Sequence, residues 1–483
     1  MKQGIVLFAF VIFAACGGDD DGGGGGDRAD ARPLADGGGS GDDGGANPDG
    51  GGGDGVPLIW AYGDFATNNR TQLAVFAPDA ALPVTPLAVF PGGDTAQIWS
   101  QNGSADFGPF DISADGTRVA FSADIDVTGR FDLYVASVEG GEPAHVVAVG
   151  AEADIEKVRF SPDGTRIAFA GDLDTEGQVD AYVVAADAVE GTPVRVSPVR
   201  ASADTDLDAR DLAWSTDSSQ VVVTGDFTDN DFLEMWIADV TVADPEPTAI
   251  IDRARIVADA VGSKGAILPL LVSGDRVLFR SRLDNDGEID RFKISVIGTD
   301  GEGEELLANS ELARVDDSIA DVGTVTLSPD GSQVAFTADQ TATIYDVWVM
   351  PVDGSTAPTQ LTTGLAVEDS NPIHTQPLKW SGDGQSIAFL ADYDEDNKTE
   401  PYVLPVAGGG QVRLAAIGDP EDDRDANSIA WSPAGDVLFM VADVAVNNDT
   451  DLFRLDPAQA NQTPELAIEA PMDGDLFGVR ASD

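Results

Sequence analysis

Seven carboxylates on two short loops are the residues best placed for chemistry in this 483-residue chain. Asp284-Asn285-Asp286-Gly287-Glu288-Ile289-Asp290 sets four acids around one glycine, and Asp172-Leu173-Asp174-Thr175-Glu176 sets three within five residues. Carboxylates clustered about a flexible glycine suit a hard cation such as Ca²⁺, which takes about six to eight oxygens. Asp284, Asp286, Glu288, Asp290, Asp172, Asp174 and Glu176 are therefore the candidate metal ligands. Asp124-Ile125-Asp126 and Asp394-Glu395-Asp396 are of the same kind. The first loop is not an EF-hand, because the twelfth position from Asp284 is Ser295 instead of Glu. The preferred reading of these acids is plainer: hairpin loops in water, with Asp side chains satisfying nearby backbone groups.

Nucleophilic catalysis has little to work with. The chain has two histidines, His145 and His374, and one cysteine. His145 falls in an apolar segment and His374 between segments, and both read as incidental. No Gly-x-Ser-x-Gly elbow presents a serine on a strained turn. Paired carboxylates for glycoside hydrolysis stay open, since acids are everywhere and no pair stands out. No catalytic residue is assigned, and the chain is read as a non-enzyme.

The single cysteine, Cys16, closes a short apolar run, Ile5 to Ala15, that follows Lys2. That run is too short to span a bilayer and suits the apolar region of an export signal. Phe13-Ala14-Ala15-Cys16 resembles the lipobox of bacterial lipoproteins. The resemblance implies cleavage after residue 15 and a lipid on Cys16. Residues 16–55 are then a lipidated cysteine followed by a Gly- and Asp-rich stretch. Such a stretch cannot bury enough surface to offset its ordering entropy. As a coil of about 39 residues it spans roughly 30–35 Å. The same resemblance, with Gly17 where a retention signal has Asp, implies the outer membrane, with the face left open. Without other thiols, the body from residue 56 has no disulfide and no Cys-ligated metal.

The net charge of −58 excludes nucleic acid as a natural partner, because phosphate contacts need Lys and Arg. It also disfavours direct adhesion to anionic lipid, leaving the lipid anchor as the membrane contact. It suits basic peptides and other cations.

The elements that position these groups come from a repeat. Its clearest copy is Phe160-Ser161-Pro162-Asp163-Gly164-Thr165-Arg166-Ile167-Ala168-Phe169. Variants begin at Ile112-Ser113, Trp214-Ser215, Val272-Ser273, Leu327-Ser328, Trp380-Ser381 and Trp431-Ser432. Their spacing, about 53 residues, is that of propeller blades. Each copy reads as a strand, a Pro-Asp-Gly-type turn and a β-branched or aromatic strand. The recurring serine is expected to bond the turn backbone. A third strand follows an acidic loop, as in Asp132-Leu133-Tyr134-Val135, Asp180-Ala181-Tyr182-Val183 and Asp346-Val347-Trp348-Val349. A weaker fourth strand completes the unit. The fold expected is all-β: one β-propeller of four-stranded antiparallel blades over residues 56–483.

The Ser-Pro-Asp-Gly turn, the Ile-Ala-Phe strand and the Asp-x-aromatic strand resemble the TolB-like, WD-repeat-like propellers. The resemblance covers most of residues 57–483 and implies the fold more than a function. TolB has six blades and an extra N-terminal domain, and neither is read here. Propellers of this kind also occur in prolyl oligopeptidase-type peptidases, whose hydrolase domain finds no room in this chain. They occur too in polysaccharide lyases, whose histidine-rich metal sites two distant histidines cannot build. At the chain's start, second, third and fourth strands are readable near Leu58, Thr71 and Pro86, with no first. Val479-Arg480-Ala481-Ser482-Asp483 mirrors Val158 to Asp163 and supplies it, so the C-terminus closes the ring. Eight blades follow; seven with a stray hairpin is the alternative.

The function read from this is a noncatalytic, envelope-anchored scaffold that binds a protein or ligand, with an envelope protein or basic peptide as the partner class. A monomer is expected, and Ca²⁺ is the one cofactor considered. The alternatives are a calcium-dependent surface or adhesive module and a carbohydrate- or peptide-cleaving propeller.

Overall fold

The computed structural model describes residues 59–64, 71–78, 88–90, 110–150, 153–175, 177–200, 208–228, 232–252, 254, 267–281, 293–308, 322–341, 344–362, 378–391, 399–417, 425–432, 434–444, 450–469 and 476–481. Among these residues the strands form eight four-stranded antiparallel sheets. Seven sheets are built from consecutive strands. The second blade, for example, runs Phe110–Ile112, Arg118–Ala123, Asp132–Ser137 and Ala144–Val147.

The remaining sheet joins the two ends of the propeller. Ile59–Asp64, Thr71–Phe76 and Ala88–Phe90 are its second to fourth strands, and Leu476–Ala481 is its first. Ile59 pairs with Ala481, Trp60 with Arg480 and Ala61 with Val479. The closure expected from the sequence is present, and the ring has eight blades.

The core is divided among the junctions between blades. One cluster of buried apolar side chains fills each of the eight. Leu133, Val146, Ile155 and Phe169 pack between the second and third blades, and Phe76, Phe439, Leu452 and Val479 pack between the eighth and first. The middle strands carry this burden because both their faces meet a neighbouring blade. Arg166–Gly171 and Gln220–Gly225 are buried at every position after the first. This explains their near-continuous Val, Ile, Ala and Phe, where a one-sided sheet would alternate.

The repeated serine has a definite duty. The Ser161 hydroxyl accepts from the Arg166 amide at 3.0 Å and donates to the Asp163 carboxylate at 2.6 Å. Asp163 in turn accepts from the Thr165 amide and hydroxyl. Ser113 with Asp115, Ser215 with Asp217, Ser328 with Asp330 and Ser381 with Asp383 do the same. In Ser432-Pro433-Ala434-Gly435, which lacks that aspartate, Asp436 takes the bond from Ser432. The turn glycine sits at positive φ, 67° at Gly164. Ser218 holds the same place in its turn at φ 62°, and its hydroxyl accepts from the Asp163 amide of the previous blade.

Two outer edges are covered by the next blade. The turn after Asp180–Ala185 donates from Glu190 and Gly191 to the carbonyls of His145 and Val146 on the second blade's outer strand. Asn461 and Gln462 do the same to Arg413 and Leu414 on the seventh blade. Glu190 and Asn461 both take positive φ, 48° and 51°. A bent turn that pairs with a strand edge leaves less of that edge for another chain.

Candidate functional site

The third strand of most blades opens on an acid. Asp132, Asp180, Glu234, Glu400 and Asp451 are all buried there. A buried carboxylate needs partners or it loses its charge, and each blade supplies its own set. Asp180 lies 2.9 Å from Arg195 and 3.1 Å from Arg200, and accepts from Ser197 at 2.8 Å. Glu400 takes Arg413 at 3.1 Å and the Ile417 amide at 3.2 Å. Glu234 takes Thr228 and the Trp236 indole, and Asp346 takes Thr362. Burial still pushes Asp180 and Asp346 above the ordinary carboxylate range.

The second blade fills this position with titratable groups. Arg130 grips both oxygens of Asp132, with Nη2 at 2.5 Å, and the Val149 amide donates to the same carboxylate at 2.9 Å. His145, from the outer strand, stacks on Tyr134 with centroids 4.9 Å apart. Its Nε2 lies 3.2 Å from Asp132 and its Nδ1 lies 3.3 Å from Asp126 in the acidic loop. Tyr134 donates to the same Asp126 oxygen at 3.1 Å. Burial, then the Asp132 and Asp126 charges, push the Tyr134 hydroxyl far above the ordinary phenol range.

Asp126, Asp132 and His145 bring one ligand atom each within 4.8 Å of one another, which is close enough for a metal ion. The donors are not arranged around one ring nitrogen. Each ring nitrogen faces a different carboxylate, whereas a metal would draw both carboxylates to one nitrogen. The Arg130 fork already supplies the positive charge at Asp132.

The acids singled out in the sequence have a different placement. Asp172 accepts from the Asp154 amide at 2.6 Å and the Gly177 amide at 2.9 Å, so its carboxylate ties its loop to the link before the blade. Asp174 is exposed, and its charge helps raise the Tyr182 hydroxyl after burial and Asp180. The structure brings no third ligand to these two among the described residues. Glu176 and the loop of Asp284, Asp286, Glu288 and Asp290 lie outside the described residues, as does Cys16. His145, read as incidental, is the residue that sequence reasoning missed. A third-strand Asp-x-Tyr with a fourth-strand His or Arg was the available signal.

Among the described residues, loops and links meet on one face. Asp208 donates its amide to Asp226 at 2.6 Å, and the Asp208 carboxylate accepts from the Val179 amide of the third blade. Asp425 accepts likewise from the Thr399 amide of the seventh blade. Two carboxylates of the loop-and-link face differ from the turn aspartates. On the turn face, Asp163, Asp330 and Asp383 are held below the ordinary range, through their serine and amide bonds. On the loop-and-link face, Glu156 is pushed up by burial and by Asp208 and Asp172 nearby, and Asp226 is pushed up by burial. Arg210 approaches both Asp208 and Asp226, at 3.8 and 3.6 Å.

The comparisons agree with this architecture. Residues 132–288 match the family model of the lipoprotein LpqB beta-propeller domain. None of the curated proteins compared with the chain matches it. Among solved structures, Porphyromonas gingivalis dipeptidyl peptidase 4 is 12% identical with a TM-score of 0.54, over 86% of this chain and 58% of that one. An oligogalacturonate lyase from Vibrio parahaemolyticus is 12% identical with a TM-score of 0.49, over 83% and 97%. A putative TolB from Agrobacterium tumefaciens is 14% identical with a TM-score of 0.33, over 74% and 87%. At 12% identity the dipeptidyl peptidase 4 bears on the fold alone. The chain is a closed β-propeller that is similar over residues 132–288 to the lipoprotein LpqB propeller domain, in line with the TolB-like resemblance of its repeats.

Proposed function

We propose that the chain is a noncatalytic binding propeller of the cell envelope that receives a cationic partner, such as a basic peptide segment, on its loop-and-link face. The observation that carries this is the contrast between Glu156 and Asp226 on that face and the turn aspartates on the other. Hydrogen bonds hold the turn-face aspartates low, whereas burial raises Glu156, and raises Asp226 despite the Asp208 amide it accepts. Carboxylates in that state gain from an added positive charge. The overall charge of −58 draws such a partner in from a distance.

The match to a lipoprotein propeller domain supports the anchoring reading of Cys16. In that reading a lipid on Cys16 and the Gly/Asp-rich stretch hold the propeller at the outer membrane.

The test is binding of an oligolysine peptide to the lipid-free protein, followed by anisotropy over a salt series. Affinity is expected to fall steeply with salt and to weaken in Glu156→Gln and Asp208→Asn. Absence of binding, or binding indifferent to salt, refutes the reading. Incorporation of labelled fatty acid, abolished by Cys16→Ala, tests the anchor separately.

A further inference from the structure

Two junctions on the turn face are closed by an arginine, and a third has the same surroundings without one. Arg118, Arg166 and Gln333 open the second strands of the second, third and sixth blades. Each pairs with the last residue of its third strand, Ser137, Ala185 and Pro351. Arg118 donates to the Gly164 carbonyl of the next blade at 2.7 Å and lies 5.3 Å from the Phe160 ring centroid. Arg166 donates to the Ser218 carbonyl of the next blade at 3.1 Å and lies 5.8 Å from the Trp214 ring centroid. Gly164 and Ser218 hold the same place in their turns, at φ 67° and 62°. Gly384 holds it in the seventh blade, at φ 67°. Trp380 there holds the strand position of Phe160 and Trp214.

Gln333, shorter and uncharged, leaves the junction between the sixth and seventh blades open. A cleft of about 180 Å³ lies there, and its walls include Ser328, Asp330 and Gln333 on one side and Asp383, Gly384 and Gln385 on the other. Arg118 Nη2 crowds Gly164 so closely that an added Cβ would meet it at 3.0 Å. A Cβ on Gly384 would meet nothing nearer than Pro329 Cδ, at 3.8 Å. Gln220 opens the second strand of the fourth blade in the same way, but there the Thr216 amide donates to the Val272 carbonyl at 2.9 Å and ties the turn to the next blade.

We infer that this cleft is a binding site for a guanidinium group brought by another molecule, which takes the place that Arg118 and Arg166 fill from within the chain. The Gly384 carbonyl accepts from it as the Gly164 and Ser218 carbonyls accept from the two arginines. Asp330 and Asp383, one from each blade and both exposed, supply the charge. The serine and amide bonds to Asp383 both fall on Oδ1, which leaves Oδ2 to an incoming donor. Those bonds, and the like at Asp330, hold both carboxyls below the ordinary range, so both are charged at neutral pH. A guanidinium is preferred to an ammonium because its planar fork meets a carbonyl and a carboxylate together. The cleft is on the turn face and is separate from the surface proposed above for a basic partner.

The experiment is calorimetric titration of the whole protein with N-acetyl-argininamide, with a capped Gly-Gly-Arg-Gly-Gly peptide and with the lysine counterpart of each. The proteins are the wild type, Gln333→Arg and Asp383→Asn, at about 0.15 M salt. The arginine probes are expected to bind the wild type, and to bind Gln333→Arg at least about tenfold more weakly because its own guanidinium fills the cleft. Asp383→Asn is expected to weaken them about tenfold, as loss of one charged hydrogen bond does. Tighter binding of the peptide than of the capped residue supports the site and assigns it a protein partner, and equal binding supports it for a small guanidinium compound. No binding, lysine probes that bind as tightly as the arginine ones, or affinity that Gln333→Arg leaves unchanged overturns the inference. If Gln333→Arg does not fold, Asp383→Asn decides: unchanged affinity overturns the inference, and weakened affinity supports it.

Discussion

Val479 faces Ala61 across the sheet that joins the C-terminal strand to the first blade, and both side chains are fully buried. The Val479 amide also donates to Ser428 of the eighth blade at 3.2 Å, so one residue ties three strands together at the closure. Val479→Ala is expected to cost about 2 kcal/mol by the denaturant midpoint. Removing residues 476–483 opens the ring and exposes the edge of Ile59–Asp64, and aggregation on warming is the expected outcome. A truncated protein that melts like the intact one contradicts closure by strand pairing.

Arg166 spans two blades. It donates to the Val240 carbonyl at 2.6 Å and the Ser218 carbonyl at 3.1 Å, and lies 5.8 Å from the Trp214 ring centroid. Arg118 repeats this one blade earlier, on the Gly164 carbonyl and the Phe160 ring. Arg166→Ala should cost about 1–3 kcal/mol, as charged hydrogen bonds do. Arg276→Ala, which breaks an exposed pair with Glu305 at 3.6 Å, should change little. Equal effects of the two substitutions in urea melts count against the staple.

The Asp180–Arg200 pair is buried on both sides, at 1% and 2% side-chain exposure. Asp180→Asn leaves two arginines facing a neutral amide, one of them in the interior. The expected loss is about 3–5 kcal/mol, read from the denaturant midpoint. Arg195→Gln, at the more exposed arginine, is expected to cost less. A small effect at Asp180 shows that water reaches Arg200.

The turn aspartates predict the acid limb of stability. The Asp217 carboxyl is held down to about 2, chiefly by Ser215 and Ser219, and Asp163 and Asp330 are lowered for the same reason. A folded value below the unfolded one means stability that is present above about pH 4 and is lost as pH falls towards 2. Glu156 and Asp226 are raised, so they act in the opposite sense and recover stability as they protonate. Asp217→Asn should flatten the fall between pH 4 and 2, measured by circular dichroism. An unchanged acid limb refutes the assignment.

Calcium offers a test of the acidic loops. Because Asp172 already holds the Asp154 and Gly177 amides, it has little to give a cation. Asp172→Asn is therefore expected to lower the melting temperature equally with calcium and with a chelator. A loss confined to the calcium-loaded protein means that Asp172 is a ligand after all.

Much of the wheel was legible in the chain itself. The Ser-x-Asp-Gly turn is a local device, complete within about six residues, so sequence spacing alone locates it. The run at Val479 could be matched to the one at Val158 because both serve as first strands beside the same kind of second strand. The acids were visible, but their duties were not. Asp154, Asp172 and Gly177 become one clamp only when link and loop meet on a face. His145 looked incidental because its neighbours Asp126, Tyr134 and Asp132 come from a loop and another strand, and sheet register brings them together. Short-range backbone preferences fixed the repeat, and the likeness of its copies pointed to the closure. Which acids are crowded, bonded or facing a histidine was decided by pairing between distant strands, since charge interactions depend on distance in space and not along the chain.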